Sequence, residues 1–457
     1  MVVAKKGLAY ASLTTVVILS GLISGCGSNS AAQPAVQSAV ATTTATLLYS
    51  SDAHYGIKRD AAHVVTIAFN NYSNAQQLNS AMVTVMNGMP AVALPSDTGV
   101  NAGATIGKVD YVIQGGDIAN RMQADPASGY AQVQSAWDSW KQFETGFINT
   151  LKFPTLLIPG NHDVSNAIGY SNGGAAAKIL NNGSGPNTFD GSVMAFIYNK
   201  FVKAGTFDTS TKSAAQASYS NTTYQDAANK VYYAKDIAGV HFMFISMWPD
   251  LDAQAWMETE LGKISSSSPA VIVTHDQPDT EAKHLTDLAG PASWLNGFEN
   301  LLVNTSATAT PIDTKDAQRT FVRFLQRHKN IVAYFHGNTN YNDLGTCDSN
   351  GVKLTGIATN TTGCYQGPDP VANPVYLPWF RVDSPMKGEI TGVAAKIPPA
   401  ACTAGVNCLD IDKLSYHVIS IDSAAKKMTV REYRWKTQTW GADPGSFATI
   451  PLTPRTK

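Results

Sequence analysis

The class predicted is an α/β layered fold, and three observations carry it. Short apolar runs recur along the chain. Stretches whose apolar side chains are spaced by three and four residues lie between them. The runs end in polar, glycine-containing loops that hold the Asp-x-His and Asn-His pairs. Strands alternating with amphipathic helices imply sheet and helix layers, and ligands of such sheets gather where the strands end.

The apolar runs fall at residues 46–49, 111–113, 155–158, 242–245, 270–273 and 331–335. Their apolar residues are consecutive, as in strands buried on both faces. Val133, Ala136, Trp137, Trp140, Phe143, Phe147 and Leu151 predict an amphipathic helix entering the third strand, with the Trp137, Trp140 and Phe143 stripe facing the core. Ala317, Phe321, Phe324, Leu325 and His328 predict another before the Ile331 run. Residues 414–421 and 427–433 alternate apolar and polar side chains about an Asp/Ser/Ala turn, an antiparallel hairpin. Residues 165–230, rich in Gly, Asn, Ser, Ala and Thr, are expected to be a surface insertion, and 343–410 a second. The folded domain is expected over 45–440, with 441–457 as a C-terminal tail.

The 457 residues carry 33 Lys+Arg against 34 Asp+Glu, a net charge of −1, which leaves no basic footprint for nucleic acid. With 44% hydrophobic and 15% charged residues the chain is globular, not disordered. At the N-terminus Lys5 and Lys6 precede an uncharged stretch, residues 7–24, that closes on Ile23-Ser24-Gly25-Cys26. This pattern resembles bacterial lipoprotein signal peptides, which implies removal of residues 1–25, lipid on Cys26, a flexible tether over 26–44 and anchorage to the cell envelope without a spanning helix. The alternatives are an ordinary signal peptide, giving a secreted or periplasmic protein, and an N-terminal membrane helix. Removal of residues 1–25 takes two lysines and no acid and leaves a net charge of −3. Of the other cysteines, Cys347, Cys364, Cys402 and Cys408 are even in number, and short loops favour Cys347–Cys364 and Cys402–Cys408 over a zinc site, for which no Cys-x-x-Cys spacing exists.

Metal-capable groups follow the runs in order: Asp52 and His54; Gly115-Gly116-Asp117 with Asn120; Gly160-Asn161-His162-Asp163; and His275. Hard carboxylate and amide oxygens with a few imidazoles suit divalent Mn or Fe better than Zn, with Mg admissible, and Asp117 has the chemistry to bridge two ions. Gly115 and Gly116 allow close backbone approach; no dinucleotide fingerprint follows them.

These blocks resemble the calcineurin-like metallophosphoesterases over roughly residues 45–342, and Gly160-Asn161-His162-Asp163 is the most specific of them. The resemblance implies a four-layer α/β/β/α sandwich of two mixed sheets with helices outside. It also implies a two-metal phosphomonoesterase or phosphodiesterase acting through activated water. Asp52 and His54 would hold one ion, Asp117 would bridge, and Asn161 and His275 would hold the other. His162 would serve as general acid or hydrogen-bond donor, oriented by Asp163, and Asn120 would contact phosphate or water.

The last block departs from the family's Gly-His-x-His. Here the chain reads His336-Gly337-Asn338-Thr339-Asn340. Three readings stand: the amide oxygens of Asn338 and Asn340 take the histidine places; His336 is a replacement ligand; or one site is lost and the protein binds a ligand without hydrolysing it. The first keeps every other block in use, with an oxygen-rich shell that favours Mn or Mg. The expected partner is a small phosphoester; a cell-surface nucleotidase or cyclic-nucleotide phosphodiesterase is a variant of the same reading. His241 and His417 are expected to be packed in strands, and His63, His284 and His328 to lie at the surface. A loop anchor is expected of Trp248 and an ordinary ion pair of Arg381. Oligomeric state leaves no signal.

Overall fold

The computed structural model describes residues 42–55, 75–119, 139, 142–164, 231–280, 314–339, 342–347, 353–355, 363–372, 374–385, 414–442 and 446–457. In chain order the strands are β1 (Thr44–Ser50), β2 (Tyr111–Gln114), β3 (Thr155–Leu157), β4 (Tyr232–Ile237), β5 (Val240–Ile245), β6 (Ala270–Val273) and β7 (Ile331–His336). They continue as β8 (Asp343–Cys347), β9 (Lys353–Thr355), β10 (Trp379–Arg381), β11 (Ser415–Asp422), β12 (Lys427–Arg434), β13 (Thr439–Trp440) and β14 (Phe447–Pro451). The helices are α1 (Ala75–Gly88), α2 (Asn161–Val164), α3 (Leu251–Leu261) and α4 (Thr314–Arg327), with a π-helical turn at Glu144–Ile148.

Among the described residues these strands make two mixed sheets of seven. The first runs β13-β12-β11-β1-β2-β3 with β14 beside β12, and the second β4-β5-β6-β7-β10-β8-β9. β1, β2 and β3 are parallel, as are β5, β6, β7 and β10. Their uninterrupted apolar runs suit strands covered on both faces. The sheets pack on each other: the Tyr49 ring of β1 meets Phe335 of β7 edge-on at 5.5 Å, and Tyr233 of β4 donates its hydroxyl to the Leu157 carbonyl of β3 at 2.8 Å.

The helices bury one stripe each. Leu78, Met82, Val83 and Met86 of α1 are buried, as are Phe321, Phe324 and Leu325 of α4. Asp250 caps α3 by accepting from Ala253 N at 2.9 Å, and Trp256 then stacks on Tyr232 of β4. None of the described helices is long and apolar enough to cross a membrane.

The expected four-layer fold is present, with one correction at its end. Residues 441–457 are not a tail. β14 pairs with β12 from Lys427↔Pro451 to Arg431↔Phe447, and Ala448, Ile450 and Leu452 alternate into the core. Cys347 and Cys364 are joined, closing the β8–β9 side of the second sheet. Cys26, the 26–44 tether apart from Thr44 and its neighbours, the 165–230 insertion, Cys402, Cys408, His63, His284 and most of the predicted helix before Gln142 lie outside the described residues.

Candidate functional site

The C-terminal ends of β1, β2 and β3 in one sheet meet those of β6 and β7 in the other. Asp52 and His54 follow β1, Asp117 follows β2, Asn161 and His162 open α2 after β3, His275 follows β6 and Asn338 follows β7. Backbone bonds zip these loops together. Asp52 N donates to Gly116 O at 2.8 Å, His54 N to Asp117 O at 2.9 Å, and Gly337 N to His275 O at 3.0 Å. Asp52, His54, Asp117 and Asn338 all have left-handed backbones, with φ of 58°, 47°, 52° and 65°. Side-chain-bearing residues seldom adopt that region, and such strain collects where the surrounding structure holds a functional geometry.

Two glycines make the close approach possible. Gly116 has φ of 100°, and a Cβ there would stand 2.7 Å from His275 Nδ1 and from Gly160 N. A Cβ on Gly160 would in turn collide with the Asp117 amide. The Asp117 and Asn161 loops therefore touch backbone to backbone, as only glycine permits.

Two ligand groups share Asp117. His54, Asp117 and His162 offer atoms within 4.8 Å of one another, and so do Asp52, Asp117 and His275. His54 Nε2 lies 3.4 Å from Asp52 Oδ1 and 3.6 Å from Asp117 Oδ2, while His162 Nε2 is 3.8 Å from Asp117 Oδ2. His275 donates Nδ1–H to the Gly115 carbonyl at 2.8 Å, which turns Nε2 toward Asp117 Oδ1 at 3.3 Å. Asp52 Oδ1 is buried and accepts no hydrogen bond.

The Asn161 amide closes the second group. Its atom nearest Asp117 lies 3.2 Å from both carboxylate oxygens and 3.0 Å from His275 Nε2. As nitrogen that atom donates to Asp117; as oxygen it completes an acceptor cradle suited to a cation. Buried carboxylates, imidazole nitrogens and an amide converging without a lysine or arginine among them fit a pair of divalent ions about Asp117.

The electrostatics agree. Burial alone would raise the Asp117 carboxyl, yet the imidazoles of His162, His275 and His54 hold it well below the usual carboxylate range. Burial works against a charged His275, but Asp117 beside it outweighs that and pushes the imidazole up to about 10. Protons and metal cations thus compete for the same charge.

The structure brings together six predicted ligands or catalytic groups: Asp52, His54, Asp117, Asn161, His162 and His275. They fall in two overlapping groups of three, His54, Asp117 and His162 in one and Asp52, Asp117 and His275 in the other, with His54 also 3.4 Å from Asp52. Asp163, expected to orient His162, turns both oxygens to backbone amides of Gly160, Ile118 and Ala119, at 2.9, 3.0 and 2.9 Å. Burial and the neighbouring Asp117 charge push its carboxyl up to about 7 against those amides.

Asn338 reaches the site through its backbone, donating N–H to Asp52 Oδ2 at 3.0 Å, while its side-chain nitrogen donates to Asp276 Oδ1 at 2.5 Å and Gln277 Oε1 at 3.3 Å. A ligand role for Asn338 therefore rests on its amide oxygen. His336 belongs to neither ligand group of the described residues: its ring packs against Tyr334 and Trp379, with Nδ1 on the Gly337 carbonyl. Burial, with Arg381 nearby, keeps it well below the ordinary imidazole range and neutral. Asn120 and Asn340 lie outside the described residues.

The remaining side chains take ordinary places. Trp248 anchors its loop through Nε1 to the Pro278 carbonyl at 3.1 Å, Arg381 pairs with Asp343 at 3.1 Å, and Asp383 accepts from Ser415. His241 bonds Asp236 and His328 bonds Glu258. Sequence reasoning missed Asp276, a fully buried carboxylate next to His275. Its adjacency to a predicted ligand was the one available signal.

A model of the family described as calcineurin-like phosphoesterase matches residues 93–339. Among solved structures, a dimetal phosphatase from Danio rerio is similar at a TM-score of 0.39 and 9% identity, over 90% of this chain and 99% of that one. A phosphopantetheinyl hydrolase from Mycobacterium tuberculosis is similar at a TM-score of 0.28 and 12% identity, over 75% of this chain and 91% of that one. No protein of curated function matches.

Proposed function

We propose, for a chain that belongs to the calcineurin-like phosphoesterase family, hydrolysis of small phosphate monoesters or diesters with two divalent cations held on either side of Asp117. The observation that carries this reading is that Asp117 presents Oδ2 to a first group with His54, at 3.6 Å, and Oδ1 to a second with His275, at 3.3 Å. Asn161 belongs with the second group through its contact with His275 and Asp117. Bound divalent ions supply Lewis acidity, polarising the phosphoryl oxygens and acidifying water.

The protein's part is placement. The Gly115 carbonyl fixes which His275 nitrogen faces the centre, and Asn338 N–H holds one Asp52 oxygen. His162, still slightly exposed, is suited to donate a hydrogen bond or proton to the oxygen that leaves phosphorus. Since the chain's net charge is −1, attraction for an anionic ester comes locally from the bound cations. Oxygen-rich ligation favours Mn or Fe over Zn.

Purified protein loaded with Mn²⁺ should bind two ions per chain and hydrolyse aryl phosphate or bis-aryl phosphate esters. Asp117→Ala should lose both ions together and turnover with them. Retention of two ions by that variant would refute the bridging assignment. One ion or none in the wild type, without turnover, would favour the non-catalytic reading that the Asn338 and Asn340 departure raises.

The same proposal includes export and lipid anchorage, supported by Lys5, Lys6, the uncharged stretch over 7–24 and Cys26. Mass spectrometry of the membrane-fraction protein should find residues 1–25 removed and a lipidated Cys26. A Cys26→Ser chain that stays in the membrane fraction, uncleaved, would point instead to an N-terminal membrane helix.

A further inference from the structure

We propose that Asp276 is a positioning residue that acts on Asp52 through Asn338, an inference resting on the two-cation reading above. Asp276 is fully buried, and both its oxygens are engaged: Oδ1 accepts from Asn338 Nδ2 at 2.5 Å and Oδ2 from the Thr280 hydroxyl. Its backbone is fixed as firmly. Asp276 N donates to the Met247 carbonyl at 2.8 Å, from a residue with φ of 57°, and the Asp276 carbonyl accepts the Tyr334 hydroxyl at 2.8 Å. A buried carboxylate is costly to maintain unless donors surround it, so this one marks a geometry worth holding.

What it holds is the turn after β7. An amide nitrogen has two hydrogens, and Asn338 uses them as a fork to Asp276 Oδ1 and to Gln277 Oε1 at 3.3 Å. A single imidazole N–H could not make both bonds. The fork settles which end of the amide faces Asp276 and leaves Oδ1 on the opposite side of the side chain. The same residue, at φ of 65°, gives its backbone N–H to Asp52 Oδ2 at 3.0 Å, while the preceding Gly337 N–H goes to the His275 carbonyl at 3.0 Å. The path Asp276–Asn338–Asp52 therefore ties a β6-end loop of one sheet to the β1-end loop of the other, and both loops carry predicted cation ligands. Asn at 338, where the family pattern has His, is thus matched to an Asp at 276. Outer partners of this kind commonly change metal affinity by about 10- to 100-fold when removed.

The test is a double-mutant cycle read by Mn²⁺ binding. Apoprotein is titrated with Mn²⁺, free ion is followed by electron paramagnetic resonance, and turnover of an aryl phosphate is measured in parallel. Asp276→Ala should weaken Mn²⁺ binding about tenfold, and Asp276→Asn, which keeps an acceptor oxygen, should fall between it and the wild type. Asn338→Ala should weaken binding as well, and adding Asp276→Ala to it should change nothing further. Additive losses, or wild-type affinity in Asp276→Ala, would overturn the proposal. If Asp276→Ala does not fold, the cycle is run with Asp276→Asn on the same criteria. A wild type that takes up no Mn²⁺ would instead overturn the two-cation reading, so the two failures are distinct.

Discussion

At Asp163 three backbone amides from two loops converge on one buried carboxylate, and this changes what a substitution there should do. Gly160 N, Ile118 N and Ala119 N all donate to it, so it clamps the loop after β2 to the turn that opens α2. Those loops carry Asp117, Asn161 and His162. Asp163→Ala would leave three buried donors without an acceptor, each worth about 1–3 kcal/mol, partly offset by removal of a buried charge. The expected loss is about 3 kcal/mol or more of unfolding free energy, measured by urea denaturation of the apoprotein. Wild-type stability together with slowed turnover would return Asp163 to the role of orienting His162. The same logic separates Asp52 from it: Asp52 keeps one buried oxygen without a hydrogen-bond partner, as the proposed ligand role requires, whereas both oxygens of Asp163 accept backbone hydrogen bonds.

At the scale of elements, what could be read from the chain follows from how each segment is buried. β1, β2, β3, β5, β6 and β7 announce themselves because they are covered on both faces and their apolar residues are consecutive. The loops of the candidate site were legible for the same reason, since each begins where such a run stops. β8 has one long apolar residue, Leu344, in Asp343–Cys347, and β10 is only Trp379–Arg381; both exist because β7 offers an edge for β10 and β10 offers one for β8. The β4–β5 hairpin turns on Ala238 and Gly239, both left-handed at φ of 49° and 76°, and an alanine there hides a turn that Asn-Gly would have signalled. α3 buries Ala253, Gln254, Met257, Glu260 and Leu261, and because two of these are polar the apolar stripe is too thin to stand out in the pattern. The pairing of His162 with His54, and of Asp276 with Asn338 62 residues on, depends on side-chain directions that only the packed sheets define.

Under the proposed function the whole molecule works as two sheets whose facing ends must stay in register, because each contributes side chains to the candidate centre. Polar ties secure that seam. Beyond β14 of the first sheet Arg455 donates to the carbonyls of Leu325 in the last turn of α4 and Ile331 at the start of β7, both at 2.6 Å. His417 on β11 of the first sheet bonds Asn342, just before β8 of the second, at 2.5 Å. Asn342 presents its oxygen, so the imidazole donates Nε2–H, and its buried Nδ1 has no acceptor for a second proton. Burial drives its pKa down to about 3. An unfolded chain would protonate the same imidazole near its ordinary value of about 6.5, so below that pH the unfolded state binds the extra proton and the folded state does not. Stability from this group is therefore intact above about pH 6.5 and declines as pH falls toward 3. Between pH 7.5 and 5.0 the decline should be about 2 kcal/mol, from the linkage relation. Other groups titrate over the same range, among them Asp163, which gains a proton in the folded state and acts with the opposite sign. The measurement is thus a difference: urea unfolding of apoprotein at both pH values, for wild type and for His417→Gln, which retains an N–H for Asn342. The variant should lose about 2 kcal/mol less than the wild type on acidification, and parallel pH profiles for the two proteins would remove His417 from the seam's acid response.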